Sequence, residues 1–290
     1  MSMSEDVDGK TKIFGIIGFP IKHTFSPYIH NAAFKALKIN AVYMPFAIAP
    51  KELKDAVGGL IALGVGGINV TIPHKEAVLA LLNKVSAQAK GIGAANVILF
   101  KDGKAIGYNT DGEGFLVSLK KELKISPRNK SIFIIGAGGA AKALVYVLAR
   151  EGAKSIALVD ILHEKAKELA LKANKDFPRC ETKSIPYLSS RIDEEVLNAD
   201  ILINASPVGM RRNDPCVVSP NALHKDLVVY DLIYNPLETK LLKEAKKRRL
   251  KMANGIGMLL YQGALSFELF TGKTAPISVM RATLEKLIKR

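Results

Sequence analysis

The chain has 290 residues, 48% of them hydrophobic and 24% charged, a balance that suits two modest domains with their own cores and excludes global disorder. Lys and Arg outnumber Asp and Glu by 42 to 27, so the surface field attracts anions, whether phosphates, carboxylates or nucleic acid. The basic residues are scattered, and the densest run, Lys246 to Arg249, closes a helical stretch where positive charge favours the helix C-terminus; no nucleic-acid motif accompanies it.

In chain order, the acidic start from Met1 to Lys10 lacks an apolar core and reads as a frayed tail, not as a secretory or transit signal. Short β-branched runs then alternate with helical patterns: strand 13–17, helix 27–37, strand 42–48, helix 51–63 and strand 68–72. That is the βαβαβ pattern of a mostly parallel sheet. The longest uncharged apolar stretch, Ala56 to Ile68, is too short to span a bilayer and is broken by five glycines, so no membrane segment is expected. A hairpin follows, with strands 96–100 and 105–108 about a turn at Asp102-Gly103, then a helix over 111–124. The polar stretch Ser126 to Lys130 marks a change of domain.

A second α/β series comes next: strand 132–135, helix 140–151, strand 156–159, helix 164–175, strands 201–204 and 228–231, and helix 237–249. This half has the pattern of a nucleotide-binding fold. Two last helices, 258–270 and 277–289, are divided by Thr271-Gly272 and Pro276. Cys180 and Cys216 lack metal-ligand or CxxC spacing and read as free thiols in a cytoplasmic protein.

The run Gly136-Ala137-Gly138-Gly139-Ala140 leaves a predicted strand and opens a predicted helix, matching G-x-G-x-x-G/A. Glycine there permits a tight turn and close approach of a pyrophosphate to the helix N-terminus, although such turns also serve packing alone. The next strand ends at Asp160, where a carboxylate accepts hydrogen bonds from the ribose hydroxyls of NAD and repels the 2′-phosphate of NADP; its alternative is a solvated turn cap. Ile161 and Leu162 supply no guanidinium to hold that phosphate, so NAD is expected before NADP.

In the first half, Ser26-Pro27 forms a good N-cap with Pro at the first helical position, and Thr24 adds a second hydroxyl beside the helix start, a pair suited to a carboxylate. Asn69 to Lys75 leaves a strand, so Thr71 and Lys75 sit at its C-terminal end, where open α/β sheets gather their active sites. Lys75 is either a solvated lysine or a proton donor paired with a carboxylate, and Asp111 supplies the carboxylate unless it only caps a helix. The five histidines lack metal-ligand spacing and no GxSxG or Cys-His signature occurs, so no metal is expected.

These segments together resemble the shikimate dehydrogenase family, in order, over nearly the whole chain. The resemblance is carried by Gly-Phe-Pro-Ile-Lys-His-Thr-Phe-Ser-Pro from Gly18, Asn-Val-Thr-Ile-Pro-His-Lys from Asn69, Gly-Ala-Ala-Asn from Gly93 and Tyr-Asn-Thr-Asp-Gly from Tyr108. The second half adds Gly-Ala-Gly-Gly-Ala-Ala from Gly136, Asn-Ala-Ser-Pro-Val-Gly-Met from Asn204, Asp-Leu-Ile-Tyr-Asn-Pro from Asp231 and Gly-Met-Leu-Leu-Tyr-Gln-Gly from Gly257.

The resemblance implies an α/β protein of two domains with a cleft between them. Residues 1–111 form a mostly parallel substrate domain, completed by helices within 258–290, and residues 112–257 form a Rossmann-type dinucleotide domain. It implies that Lys75 and Asp111 are the catalytic pair in reversible reduction of 3-dehydroshikimate to shikimate, a step toward chorismate and the aromatic amino acids. Thr24 and Ser26 would face the substrate carboxylate, Thr71, Asn96 and Gln262 would hold the ring, Tyr234 would close the pocket, and Leu232 and Gly255 would lie along the nicotinamide. A monomer or homodimer is expected, with a small-molecule substrate and neither nucleic acid nor membrane as partner; quinate dehydrogenase is the neighbouring alternative.

Three positions depart from the family pattern. Thr24 stands where serine is usual, Phe270 replaces a common tryptophan, and Asp160-Ile161-Leu162 stands where members using NADP carry Asn-Arg-Thr, which removes the phosphate clamp. A gel-shift series with DNA and RNA at low salt is expected to stay flat across protein concentration, whereas a mobility shift that fades as salt rises would mark the net charge as a nucleic-acid surface.

Overall fold

The computed structural model describes residues 7–288; most of the acidic start and Lys289, the end of the expected final helix, lie outside the described residues. The chain divides into two units, one formed by residues up to Gly114 together with those from Leu260 onward, the other by Phe115–Leu259.

The first unit opens with β1 (Lys12–Gly18), α1 (Ser26–Ala36), β2 (Ala41–Ala47), α2 (Leu53–Ala62) and β3 (Gly67–Val70). It continues with β4 (Lys84–Val85), α3 (Ala87–Ile92), the hairpin β5 (Val97–Lys101) and β6 (Lys104–Tyr108), and α4, whose span Asp111–Glu122 crosses the unit boundary. The six strands lie in the order β2-β1-β3-β5-β6-β4, with β1 parallel to β2 and β3, and β5 antiparallel to both β3 and β6. The hairpin turns at Asp102-Gly103 with φ of +51° and +69°, the left-handed pair that matches strand twist in a two-residue loop. Pro45, which has no N–H for a ladder, lies in edge strand β2.

Leu53, Val57 and Leu60, one stripe of α2 at helical spacing, bury against Ile17, Ile68, Val70 and Ile98 of the sheet. On another side, Phe270 stacks on Phe14 with ring centroids 5.1 Å apart and covers Gly67, where a Cβ would come within 2.5 Å of the ring.

The second unit runs β7 (Ser131–Ile135), α5 (Gly139–Arg150), β8 (Ser155–Val159), α6 (His163–Asp176), β9 (Glu181–Ser184), α7 (Ser189–Leu197), β10 (Ile201–Asn204), β11 (Val228–Asp231), α8 (Lys240–Lys247) and β12 (Lys251–Ala253). Then α9 (Ile256–Thr271) carries the chain back into the first unit, where α10 (Ile277–Ile288) packs on α1. All strands of the second sheet are parallel, in the order β12-β11-β10-β7-β8-β9, so the first two neighbours β7 and β10 mark the point where chain direction across the sheet reverses. That is the doubly wound Rossmann order.

Period-two alternation makes this sheet buried on both faces. Ile132, Ile134, Ile156, Leu158, Ile201 and Ile203 enter one core, while Phe133, Ile135, Ala157, Val159 and Leu202 enter a second on the opposite face. The short elements β4, α3, β9, α7 and β12 have no counterpart in the sequence reading. Three of those are strands of two to four residues, and the Glu-Thr-Lys-Ser of edge strand β9 carries no apolar run.

Two helix starts differ from expectation. The carbonyl of Phe25 already accepts from Tyr28 and Ile29, and Thr24 Oγ1 accepts from Ser26 N at 3.3 Å, so Ser26 lies inside the first turn of α1 and is not its N-cap. Likewise α8 begins at Lys240, three residues late, because the Thr239 hydroxyl caps it by accepting from Leu242 N at 3.3 Å.

Thr239 also donates to Asp231 Oδ2 at 2.6 Å, while Asp231 Oδ1 accepts from Asn204 Nδ2 and Ile233 N, both at 3.1 Å. Burial at the end of β11 outweighs these donors and pushes the Asp231 carboxyl from its ordinary 3.8 up to about 6. The folded state therefore keeps a proton that the unfolded chain has lost, and Asp231 withdraws stability as pH climbs from about 4 to about 6. Urea denaturation of Asp231→Asn, a neutral mimic of the protonated acid, is expected to show less loss over that window than the parent, by roughly 3 kcal/mol at most. Parallel pH profiles for the two proteins would contradict this.

Candidate active site

The topology of the first unit collects its chemistry at one sheet edge. Parallel β1 and β3 end together, so the loop that carries Thr24 and leads into Ser26 of α1 and the loop carrying Thr71 and Lys75 leave the sheet side by side. Because β5 is antiparallel to β3, with Val97 opposite Asn69, the start of β5 and hence Asn96 lies at that same edge. Reversal again at the hairpin sets Tyr108 opposite Val97 and brings Asp111 to it as the first residue of α4.

Lys75 Nζ meets Asp111 Oδ2 at 2.7 Å, with the two side chains only 13% and 5% exposed. Asp111 Oδ1 accepts from Asn96 Nδ2 at 2.9 Å, and the Asp111 N–H donates to Asn109 Oδ1 at 3.0 Å. Asn96 Oδ1 accepts the Thr110 N–H at 2.7 Å, which settles the orientation of its amide, because only the oxygen can accept from a backbone N–H. Asn96 Nδ2 also reaches Thr110 Oγ1 at 2.9 Å and Gln262 Oε1 at 3.4 Å. Gln262 comes from α9, and Gly114 in the first turn of α4 makes room for it: a Cβ at 114 would stand 2.5 Å from Gln262 N.

Lys75, Asp111, Asn96 and Gln262 thus form one hydrogen-bonded group. Thr24 sits on the neighbouring loop and Ser26, buried, in the first turn of α1, and Thr71 packs its methyl so close to the β1 end that a Cβ at Gly18 would be 2.4 Å away. An ammonium beside a carboxylate, ringed by amide and hydroxyl groups, can pass a proton to an oxygen of a polyhydroxylated substrate and orient it. Tyr234 belongs to the second unit, on the loop after β11.

The motif-based reading missed part of the polar shell. Ser266, fully buried and one helical turn after Gln262, accepts from Asn69 Nδ2 at 2.9 Å, and Asn69 Oδ1 accepts from the Tyr43 hydroxyl at 2.7 Å. The Tyr43 phenol is held well above its ordinary pKa by burial, opposed by a hydrogen bond with Ser26. His30 stacks on Tyr43 with ring centroids 4.2 Å apart, and burial lowers it to about 3, so the imidazole is neutral. The four-residue spacing of Gln262 and Ser266 was the available signal that both face one way.

In the second unit, the glycine-rich turn has a division of labour. Gly136 has φ of +108° and a Cβ there would press 2.9 Å from the Ala205 carbonyl, so backbone geometry alone demands glycine. At Gly138, the N-cap of α5, a Cβ would meet nothing within 4 Å, so no internal packing asks for glycine; the bare helix start fits a pyrophosphate. Gly139 and Ala140 form the first turn of α5. Asp160 Oδ2 accepts from Ala137 N at 2.7 Å and Oδ1 from Leu162 N at 2.8 Å, which pins the carboxylate beside the turn. Gly255 lies so close to Leu232 that a Cβ would stand 1.9 Å from its carbonyl oxygen, joining the end of β11 to the start of α9. These residues fit a dinucleotide. Among the described residues, no group of three His, Cys, Asp or Glu is placed to hold a metal, and no helix is long and apolar enough to cross a membrane.

Residues 16–98 match the shikimate dehydrogenase substrate binding domain, and residues 255–285 the shikimate 5′-dehydrogenase C-terminal domain. A protein of Methanopyrus kandleri named shikimate dehydrogenase (NADP(+)) is 46% identical, covering 99% of this chain and 100% of its own. A crystal structure of a shikimate dehydrogenase in complex with NADP+ superposes with a TM-score of 0.90 at 42% identity, covering 99% of each chain. A shikimate 5-dehydrogenase of Listeria monocytogenes, solved with shikimate and NAD, gives a TM-score of 0.88 at 34% identity, covering 97% of this chain and 99% of that one. Identity of this level over the full length, on the same fold, has one meaning: the chain belongs to the shikimate dehydrogenase family of oxidoreductases.

Proposed function

We propose that this protein catalyses the reversible reduction of 3-dehydroshikimate to shikimate in the cytoplasm, on the route to the aromatic amino acids, and takes NAD in preference to NADP. The first unit is the substrate domain and the second the dinucleotide domain. The observation that carries the reading is the Lys75–Asp111 contact at 2.7 Å, shielded from water and bounded by Asn96 and Gln262.

When bound, the nicotinamide supplies hydride to the ring carbonyl or takes it from the ring alcohol. Lys75 Nζ gives a proton to the ring oxygen during reduction and recovers it during oxidation, so charge balances at that atom. Asp111 holds the ammonium in place and accepts from the same hydroxyl. Thr24 and Ser26 hold the substrate carboxylate with neutral donors, while Thr71, Asn96 and Gln262 hold the ring hydroxyls and Tyr234 covers them. Gly136 to Ala140 hold the pyrophosphate, Leu232 and Gly255 line the nicotinamide, and Asp160 takes the adenosine ribose hydroxyls.

Support for NAD comes from position 160 and the two residues after it. The Asp160 carboxylate is tied down by two backbone N–H groups and keeps lone pairs for hydroxyl donors, while a 2′-phosphate meets like charge. Ile161 and Leu162, 76% and 54% exposed, offer no cation there. Relatives whose names carry NADP(+) stand on the other side of this question.

Initial rates of shikimate oxidation with NAD and NADP in parallel are expected to favour NAD, and Asp160→Asn with Ile161→Arg is expected to move the preference toward NADP. A parent enzyme active with NADP alone would remove Asp160 as the determinant, and faster oxidation of quinate would change the substrate. Lys75→Ala is expected to lower kcat by about 10²- to 10⁴-fold while shikimate binding, read by calorimetry, changes far less. Near-normal turnover in that variant would sink the assignment of Lys75.

A further inference from the structure

We propose that Ser266 is a positioning residue for the Lys75–Asp111 pair: its hydroxyl sets the polarity of a buried hydrogen-bond chain that keeps an Asn96 Nδ2 hydrogen on Asp111 Oδ1. The inference rests on the reading of Lys75 and Asp111 as the reacting pair.

The argument is a count of hydrogens. Ser266 has one proton and two lone pairs, and three neighbours within reach: the Gln262 carbonyl at 2.9 Å, Asn69 Nδ2 at 2.9 Å and Thr110 Oγ1 at 3.2 Å. The carbonyl has no proton to give, so Ser266 donates to it, the turn-back bond that serine makes to the residue four before it. Asn69 is oriented by its own partners: Nδ2 also donates to the Asn96 carbonyl at 3.2 Å, and Oδ1 accepts from Tyr43. Asn69 therefore gives a hydrogen to Ser266, and the remaining lone pair of Ser266 takes the hydroxyl hydrogen of Thr110.

That direction decides what Asn96 does. With its hydrogen committed to Ser266, Thr110 Oγ1 presents a lone pair to Asn96 Nδ2 at 2.9 Å and does not donate to Asn96 Oδ1, which lies farther off at 3.3 Å. The two Nδ2 hydrogens then go to the two acceptors at 2.9 Å, Thr110 Oγ1 and Asp111 Oδ1, in preference to Gln262 Oε1 at 3.4 Å. Every side-chain hydroxyl and amide hydrogen in the chain from Tyr43 to Asn96 finds an acceptor, in residues that are all buried. A fully matched buried network resists rearrangement because any turned group leaves another unpaired.

Removing the Ser266 hydroxyl deprives Thr110 of its acceptor. The Thr110 hydrogen turns to Asn96 Oδ1, its lone pair leaves Nδ2, and that amide tips toward Gln262, loosening the bond to Asp111. Ser266 itself touches no reacting atom in this scheme, so its loss reaches the chemical step through Asp111 and the substrate only through the turned Asn96 amide.

The test compares Ser266→Ala and the near-isosteric Ser266→Cys with the parent enzyme, full length, by steady-state oxidation of shikimate and by NMR of the Asn96 side-chain amide. In Ser266→Ala, kcat is expected to fall about fivefold, the worth of one neutral hydrogen bond, with a smaller rise in KM through the turned Asn96 amide. The Asn96 amide protons are expected to exchange about tenfold faster with solvent, and the Cys variant should move both readouts the same way by less. An unchanged kcat, an unchanged Asn96 amide, or a loss confined to KM overturns the role of Ser266. The amide signal needs no turnover, so it judges Ser266 even in the event that the parent enzyme fails to oxidise shikimate, a result that would count against the proposed reaction alone. Should the Ala variant not fold, the Cys variant carries the same two measurements.

Discussion

An ammonium and a carboxylate 2.7 Å apart, largely removed from water, cannot be held by their mutual attraction alone. The cost of desolvating both charges is met only where further donors and acceptors complete their hydrogen bonding. Most of the first unit's architecture answers that requirement. The antiparallel excursion of β5 and β6 on an otherwise parallel sheet returns Asn96 and Asp111 to the end of β3. Helix α9 then brings Gln262 and Ser266 from far along the chain to the same group.

The two units fix their polar groups by different means. In the first, side chains converge from four separate segments and each is oriented by its neighbours, so the arrangement depends on identity at many positions. In the second, the main chain does most of the work: a left-handed glycine at 136, a bare helix start at 138, and a carboxylate fixed by two backbone N–H groups. The doubly wound sheet supplies these features wherever chain direction reverses, which is why such sites recur at that point.

Much of this was readable from the residues. Long periodic segments such as α5, and strands buried on both faces such as β7, announce themselves by spacing and composition, and the hairpin by Asp102-Gly103. Lys75, Asp111 and Asn96 stood inside contiguous motifs at strand ends. What stayed hidden was set by tertiary context. Edge strand β9 has no apolar signal because one ladder and few side chains hold it, and Ser26 lost its capping role because Thr24 and Phe25 start the turn one residue early. Ser266 and Tyr43 entered the polar shell through contacts across 156 and 26 residues of chain, which no local pattern encodes.

Gly114 touches nothing reactive, yet its missing methyl sets the gauge between α4 and α9, since a Cβ would lie 2.5 Å from Gln262 N. The reach of Gln262 toward Asn96 is thus governed by a position outside their polar group. A single methyl at position 114 would push α4 and α9 apart, or turn Gln262 away from Asn96, while every polar side chain stayed the same.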